Sequence, residues 1–317
     1  QIPCAKERGY FSFAGLWGSV QLIGKHPAHI TDVFVRPDIR RKRLAVSVAT
    51  SETAPIRLTI ESTAYEIIGD SGQLSLDFPD PELWAPETPT LYTLCCEVLK
   101  NGAALECVRV PFGMREFTIR EGRFCLNNRP IFLKGVLHQP DYPRTLAAPE
   151  SEAMARAELE LAKAAGFNLV RLHIKPAPEI TLQLCDEIGL MVYEEPAIGW
   201  IEQSPWMKER CEREVSEMIL RDRNHPSVVF WGMLNESGNC DYVVKGGAQL
   251  IKEELCALAR SLDPTRLIID DSGGTNTTRE PARFMRPYRN AFEEYDDLHV
   301  YQRAPVDREI ELYYRHL

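Results

Sequence analysis

Through the first third of the chain the apolar residues fall in short runs, at 30–35, 44–48, 56–60, 73–78, 91–99 and 105–110, rich in Val, Ile, Leu and Thr. Turn formers separate them: Pro37-Asp38, Gly69-Asp70, Pro79-Asp80-Pro81 and Asn101-Gly102. Short apolar runs between such punctuation read as strands. The Asn-Gly pair predicts a tight hairpin, because a type I′ turn needs positive φ at both central positions. Six strands with no helical stretch predict a β-sandwich over residues 28–112. Residues 1–27, with GLWGSVQL at 15–22, read as the last strand of a preceding unit.

From residue 113 the period changes. Apolar strands are predicted at 131–136, 169–172, 191–193, 228–233, 267–269 and 298–301, alternating with helices at 150–165, 179–188, 206–221 and 243–262. Gly166, Gly189 and Asp263-Pro264 supply helix stops. Continuous apolar strands in such an alternation predict a parallel sheet buried on both faces. No Gly-rich phosphate loop follows the first strand, which argues against a nucleotide-binding fold. The pattern predicts a (β/α)8 TIM barrel over 113–317, incomplete at about six of its eight units.

Composition then narrows the function classes. Apolar residues make up 44% and charged residues 26% of the 317, ordinary values for a globular chain. The formal net charge of −9 and the lone basic run Arg40-Arg41-Lys42-Arg43 argue against a nucleic-acid partner. No apolar stretch reaches the length of about 20 residues that a membrane span needs. Nine cysteines at irregular spacing contain no CxxC pair, so neither a zinc ribbon nor a dithiol redox site is expected. Scattered thiols favour a reducing, cytoplasmic setting. The chain opens on QIPCAKERGYFSF, without an initiator Met or the charge-then-apolar order of a signal peptide.

In a TIM barrel the active site lies where the strands end. The six predicted ends carry His138, Arg171 with His173, Glu194-Glu195 with Trp200, Asn235-Glu236, Asp270-Asp271, and His299 with Tyr301. At any single end the ordinary explanation is a polar residue capping the next helix. Six in register, rich in ionisable groups, are costly to bury unless they bind or react. The chemistry they suit is glycoside hydrolysis, which needs one protonated carboxyl for the leaving oxygen and a second carboxylate opposite. Glu236 is the candidate acid, since burial at the end of an apolar strand would hold its proton. Asn235 is placed to bind a sugar hydroxyl, and Trp200 or Trp231 to cover an apolar sugar face.

Along nearly its whole length the sequence resembles glycoside hydrolase family 2, the β-galactosidases, β-glucuronidases and β-mannosidases. GLWGSVQL (15–22) is similar to the close of that family's jelly-roll domain, and PELWAPETPTLYTL (81–94) to its immunoglobulin-like domain. GMREF (113–117) and LNNRPIFLKGVLHQ (126–139) resemble the barrel entry. AAGFNLVRLH (164–173), DEIGLMVYEEPAIG (186–199), RDRNHPSVVFWGMLNES (221–237), LDPTRLIIDDSGG (262–274) and DLHVY (297–301) resemble the following strand regions. The resemblance implies a jelly-roll remnant over 1–27, an immunoglobulin-like sandwich over 28–112 and a catalytic barrel over 113–317. It also implies a retaining mechanism with Glu236 as general acid/base, Asn235 on the 2-hydroxyl and Tyr301 on the nucleophile. His299, His138, Arg171, His173 and Glu194 would line the pocket.

GVLHQPDYP and RLHIKP depart from the strings usual in β-galactosidases and β-glucuronidases, leaving the sugar and aglycone open. The nucleophilic glutamate is expected downstream of Leu317, with Glu309 and Glu311 read as surface carboxylates, so the chain alone is expected to be inactive. No cofactor and no metal ligand set is expected. The expected partner is a carbohydrate, and a homo-oligomer is left open. The competing readings are a non-catalytic sugar-binding or structural protein, and a barrel hydrolase of another family.

Overall fold

The computed structural model describes residues 20–146, 148–198, 204–236 and 247–273, together with Asp297 and His299. Its first part is a two-layer sandwich. Strands β1 (Ile30–Asp38), β2 (Arg43–Thr50) and β5 (Gly72–Asp77) form one antiparallel sheet in the order β1-β2-β5. Strands β3 (Pro55–Ile60), β4 (Glu66–Asp70), β6 (Tyr92–Lys100) and β7 (Ala103–Phe112) form the other, in the order β4-β3-β6-β7. Alternate residues point inward, as the two-residue period of a strand requires: Leu44, Val46 and Val48 face Ile56, Leu58 and Ile60 and Leu94, Cys96 and Val98 in one core. At the β6–β7 turn Asn101 and Gly102 have φ of +53° and +80°, the handedness the Asn-Gly pair predicted. Strand β4 is the addition to the expected set. None of its five residues is buried, and its only apolar residues are the short pair Ile67-Ile68 between Glu66 and Gly69.

A second unforeseen element follows. Strands β8 (Phe117–Arg120), β9 (Arg123–Leu126) and β10 (Arg129–Pro130) form a small antiparallel ribbon. Its turns use left-handed residues, Glu121-Gly122 and Asn127-Asn128. The ribbon carries Phe117 and Leu126 into the barrel interior.

Five parallel strands then lie side by side in sequence order: β11 (Gly135–His138), β12 (Leu169–Leu172), β13 (Met191–Glu194), β14 (Val228–Asn235) and β15 (Leu267–Ser272). Helices α1 (Glu152–Ala164), α2 (Glu179–Ile188), α3 (Met207–Asp222) and α4 (Gly247–Leu262) connect them. The four strands β12 to β15 have two buried faces, whereas β11, at the edge of the five, has no buried residue. Val170, Leu172, Val192, Trp231 and Ile268 pack against the helices. Leu169, Met191, Tyr193, Phe230 and Ile269 pack inside against the ribbon. The first strand begins later than the predicted 131–136. Ile131 donates its N–H to Phe124 O at 2.9 Å, and the Asn168 amide holds both Phe132 O and Lys134 N, so 131–134 brace the barrel floor before the strand starts. The predicted strand 298–301 lies outside the described residues, as do residues 1–19. Among the described residues no helix is long and apolar enough to cross a membrane.

Sandwich and barrel share a wall. Trp84, in the stretch between β5 and β6, is fully buried in the barrel's inner cluster and donates Nε1–H to Asp186 O at 2.9 Å. From the barrel side, Arg223 and Asn224 after α3 reach β1. Arg223 Nη2 meets Asp32 Oδ2 at 2.5 Å, and the Asn224 amide accepts from Val35 N and donates to Val33 O at 2.9 and 2.8 Å.

Candidate active site

The strand ends bring one group of polar side chains together, centred on Arg171 of β12. Residues 169 and 171 share the inner face, and Arg171 lies opposite Tyr193 in the parallel register, its guanidinium carbon 4.8 Å from that ring's centroid. Two residues along, Glu195 faces the same way. Its Oε1 accepts from Arg171 Nε at 3.0 Å and Nη2 at 2.5 Å, while Oε2 lies 2.7 Å from His173 Nδ1. Glu195 is 2% exposed. Burial works against the Arg171 cation, but the acidic groups around it, Tyr193, Glu195 and Asp297, outweigh that and raise its pKa.

From Arg171 the network runs toward the end of β14. Arg171 Nη2 also donates to Asn235 Oδ1 at 2.6 Å, and Nη1 lies 3.1 Å from His299 Nε2. The other imidazole nitrogen, Nδ1, is 2.7 Å from Glu236 Oε1. Glu236 follows the last residue of β14 with a left-handed φ of +52°, and its N–H is tied to Ser272 O at 2.8 Å. That anchored turn carries the carboxylate, whose side chain is 16% exposed, over the strand ends. Ser272 completes the ring of contacts, donating to Asp297 Oδ2 at 2.5 Å and lying 2.8 Å from His299 Nε2. The imidazole rests on Gly273, where an added Cβ would come 2.2 Å from His299 Cγ and where φ is +64°. Asn235 Nδ2 is buried without a partner among the described residues.

Of the residues singled out from the sequence, Arg171, His173, Asn235, Glu236 and His299 therefore meet in one network. Glu194 does not join it. It is fully buried on the helix side of β13, accepting from Ala177 N at 3.0 Å, 3.8 Å from Arg221 Nη2. Burial and the adjacent Asp222 carboxylate push its pKa far above the ordinary range. The carboxylate that joins the network is Glu195, one position on. His138 stands apart as well, 3.4 Å from Glu158 Oε2 of α1, which also accepts from the Tyr142 hydroxyl at 2.9 Å. Trp231 is no sugar platform: it is buried against the helices and donates to Asp263 Oδ2 at 2.9 Å. Asp270 likewise turns outward, 3.4 Å from Lys252 of α4. Trp200 and Tyr301 lie outside the described residues.

The sequence placed Glu195 at its strand end but pointed to Glu194 as the pocket residue, and it did not single out Ser272 or Gly273. Strand alternation puts Glu195, two beyond Tyr193, on the face of Arg171, but only the register of β12 against β13 shows which face that is. As for metals, one group among the described residues brings three ligand atoms within 4.8 Å of one another: Cys95, Glu97 and Cys107 on the outer face of the sandwich. Glu97 is already paired with Arg57 Nε at 2.6 Å, and burial together with Cys107 pushes the Cys95 thiol up to about 12, so the group is a poor cation site. A cavity of about 250 Å³ opens at the opposite ends of the strands, among Val35, Arg115, Asn224 and Arg266. Its two arginines are occupied by main-chain carbonyls of Pro226 and His225, at 2.8 and 2.9 Å.

Comparison with known proteins places these features in a family context. Residues 117–311 match the profile of the glycosyl hydrolases family 2 TIM barrel domain, and residues 28–115 match the profile of glycosyl hydrolases family 2. A β-galactosidase of Vibrio vulnificus strain YJ016 is 28% identical over 298 residues, an alignment that takes in 84% of this chain and 28% of that protein. The chain thus spans little more than a quarter of that relative's length. The apo structure of Bacteroides uniformis β-glucuronidase 3 superposes with a TM-score of 0.65 at 29% identity, over 77% of this chain and 33% of the other. A family 2 β-galacturonidase from Eisenbergiella tayi, bound to galacturonate, superposes with the same TM-score at 27% identity, over 77% of this chain and 46% of the other.

Proposed function

The chain belongs to glycosyl hydrolase family 2, and from that premise we propose that it is the acid/base half of an enzyme that hydrolyses terminal β-glycosidic bonds with retention. The observation that carries this reading is the Glu236 carboxylate. It sits at the C-terminal end of a barrel strand, hydrogen-bonded at 2.7 Å to His299 and next in the chain to Asn235, which Arg171 holds. In its protonated form Glu236 gives a proton to the glycosidic oxygen as the bond to the anomeric carbon breaks. As a carboxylate it then takes a proton from the water that releases the sugar. The buried Asn235 Nδ2–H group, with no acceptor among the described residues, is placed to bind the sugar 2-hydroxyl.

The attacking carboxylate is a second glutamate. Glu195 is unsuited to that part, because a cation and an imidazole occupy both its oxygens and lower its nucleophilicity. His173 and Arg171 serve as the wall behind the sugar. The family relatives act on galactosides and on uronides, so the sugar is settled by assay. The protein expressed from its complete gene should turn over at least one of the nitrophenyl β-galactoside, β-glucuronide, β-galacturonide and β-mannoside. Glu236→Gln should cost about 10²–10⁴-fold in turnover of that substrate. Full activity in Glu236→Gln, or a wild-type protein inert on every β-glycoside tried, would defeat the proposal.

A further inference from the structure

Glu195 is a buried carboxylate, and its position suggests a role that neither the resemblance nor the acid/base chemistry assigns. Both its oxygens are committed, one to Arg171 at 2.5 and 3.0 Å and one to His173 at 2.7 Å. Arg171, so braced, presents Nη1 to His299 Nε2 at 3.1 Å. A guanidinium donates and never accepts. Nε2 of His299 must therefore be the unprotonated nitrogen, and Nδ1 must carry the hydrogen that points at Glu236 Oε1, 2.7 Å away. Ser272 Oγ lies 2.8 Å from the same Nε2, but it gives its single proton to Asp297 Oδ2 at 2.5 Å. A proton on Nε2 would suit Ser272 and would collide head-on with the Arg171 N–H. The braced cation decides between the two forms.

We infer that Glu195 is a positioning residue for the acid/base: by bracing Arg171 it fixes the tautomer of His299, with Nδ1–H directed at Glu236. The inference rests on the reading of Glu236 as the acid/base. Among the described residues, the charged and titratable groups facing His299 are Arg171 from β12, Glu236 at the end of β14, and Asp297 through Ser272 of β15. Glu195, Tyr193 and His173 lie one contact further out. If the brace is lost, Nε2 becomes free to take a proton beside Asp297. The resulting imidazolium favours the Glu236 carboxylate, so Glu236 surrenders its catalytic proton at lower pH.

The test is steady-state kinetics across pH on the protein from its complete gene, with Glu195→Gln, Arg171→Lys and Glu236→Gln compared by circular dichroism for folding. Glu195→Gln should lower kcat by about 10–10²-fold with a smaller change in KM. The alkaline limb of kcat/KM should move about one pH unit toward acid. Arg171→Lys, which keeps a charge and loses the fork, should shift the limb the same way and covers the case of a poorly folded Glu195→Gln. If both variants keep the wild-type limb and kcat while Glu236→Gln is dead, the positioning role is overturned and the acid/base assignment stands. If Glu236→Gln keeps wild-type turnover, the function reading itself falls. Independently of turnover, ¹⁵N-histidine NMR, with His299→Asn for assignment, should show His299 as the Nδ1–H tautomer in the wild type. An Nε2–H signal there would also overturn the inference.

Discussion

Successive side chains of a strand turn to opposite faces, so Glu194 and Glu195 meet different surroundings although they are neighbours. Glu194 is pressed against Asp222 and pushed toward its protonated form, for which glutamine is a close isostere. Glu194→Gln should therefore keep nitrophenyl glycoside turnover within about two-fold of wild type, whereas Glu195→Gln should not. Gly273 is the other residue with a sharp expectation. Its left-handed φ and the imidazole lying on its Cα leave no room for a methyl group. Gly273→Ala should push His299 off Glu236 and cost at least about 10-fold in kcat, with a melting temperature that falls only modestly. At this scale Arg171, His173, Asn235, Glu236 and His299 were legible as polar residues at the ends of apolar strands. The choice between Glu194 and Glu195 was not, because it depends on strand phase, which a continuous apolar run does not display.

The segment Arg221–Ser227 between α3 and β14 works as a multi-way joint. Arg221 brackets Asp222 through two hydrogen bonds at 2.7 and 2.6 Å, Asn224 clips β1, and His225 Nδ1 meets Asp186 Oδ2 of α2 at 2.5 Å. Asp186 also caps Ser227 N at 2.9 Å, which fixes where β14 starts. Removing the Asn224 amide breaks two bonds to the sandwich backbone. Asn224→Ala should lower stability by about 2 kcal/mol in urea unfolding while leaving KM unchanged. For His225 burial opposes the charge, but the Asp186 hydrogen bond outweighs it, and the pKa rises above 6.5. A raised folded pKa means the stabilisation is complete below pH 6.5 and is lost as pH climbs through the folded value. Wild type should therefore lose more stability than His225→Asn as pH climbs from 6.5 through the folded value, as read by thermal melts. The helices and apolar strands were readable because their period and their glycine stops are local. The ribbon β8–β10 and strand β4 were not, since both are short, partly polar and defined by their pairing partners.

Across the whole molecule the change of period near residue 113 marked the passage from sandwich to barrel, and the two cores form on either side of it. What the pattern could not display is that a third cluster is shared between them. Trp84 lies in the sequence of the first and in the interior of the second, hydrogen-bonded to Asp186, the same aspartate that holds His225 and Ser227. Anyone assembling chimaeras from family members would find the obvious crossover point, between β7 and β8, a poor one. A foreign sandwich brings its own tryptophan stretch to a floor cut for another, and a barrel taken alone leaves a hole the size of an indole. The better recombination block keeps Trp84 and Asp186 from one parent, so the chain is best shuffled as a single inherited unit.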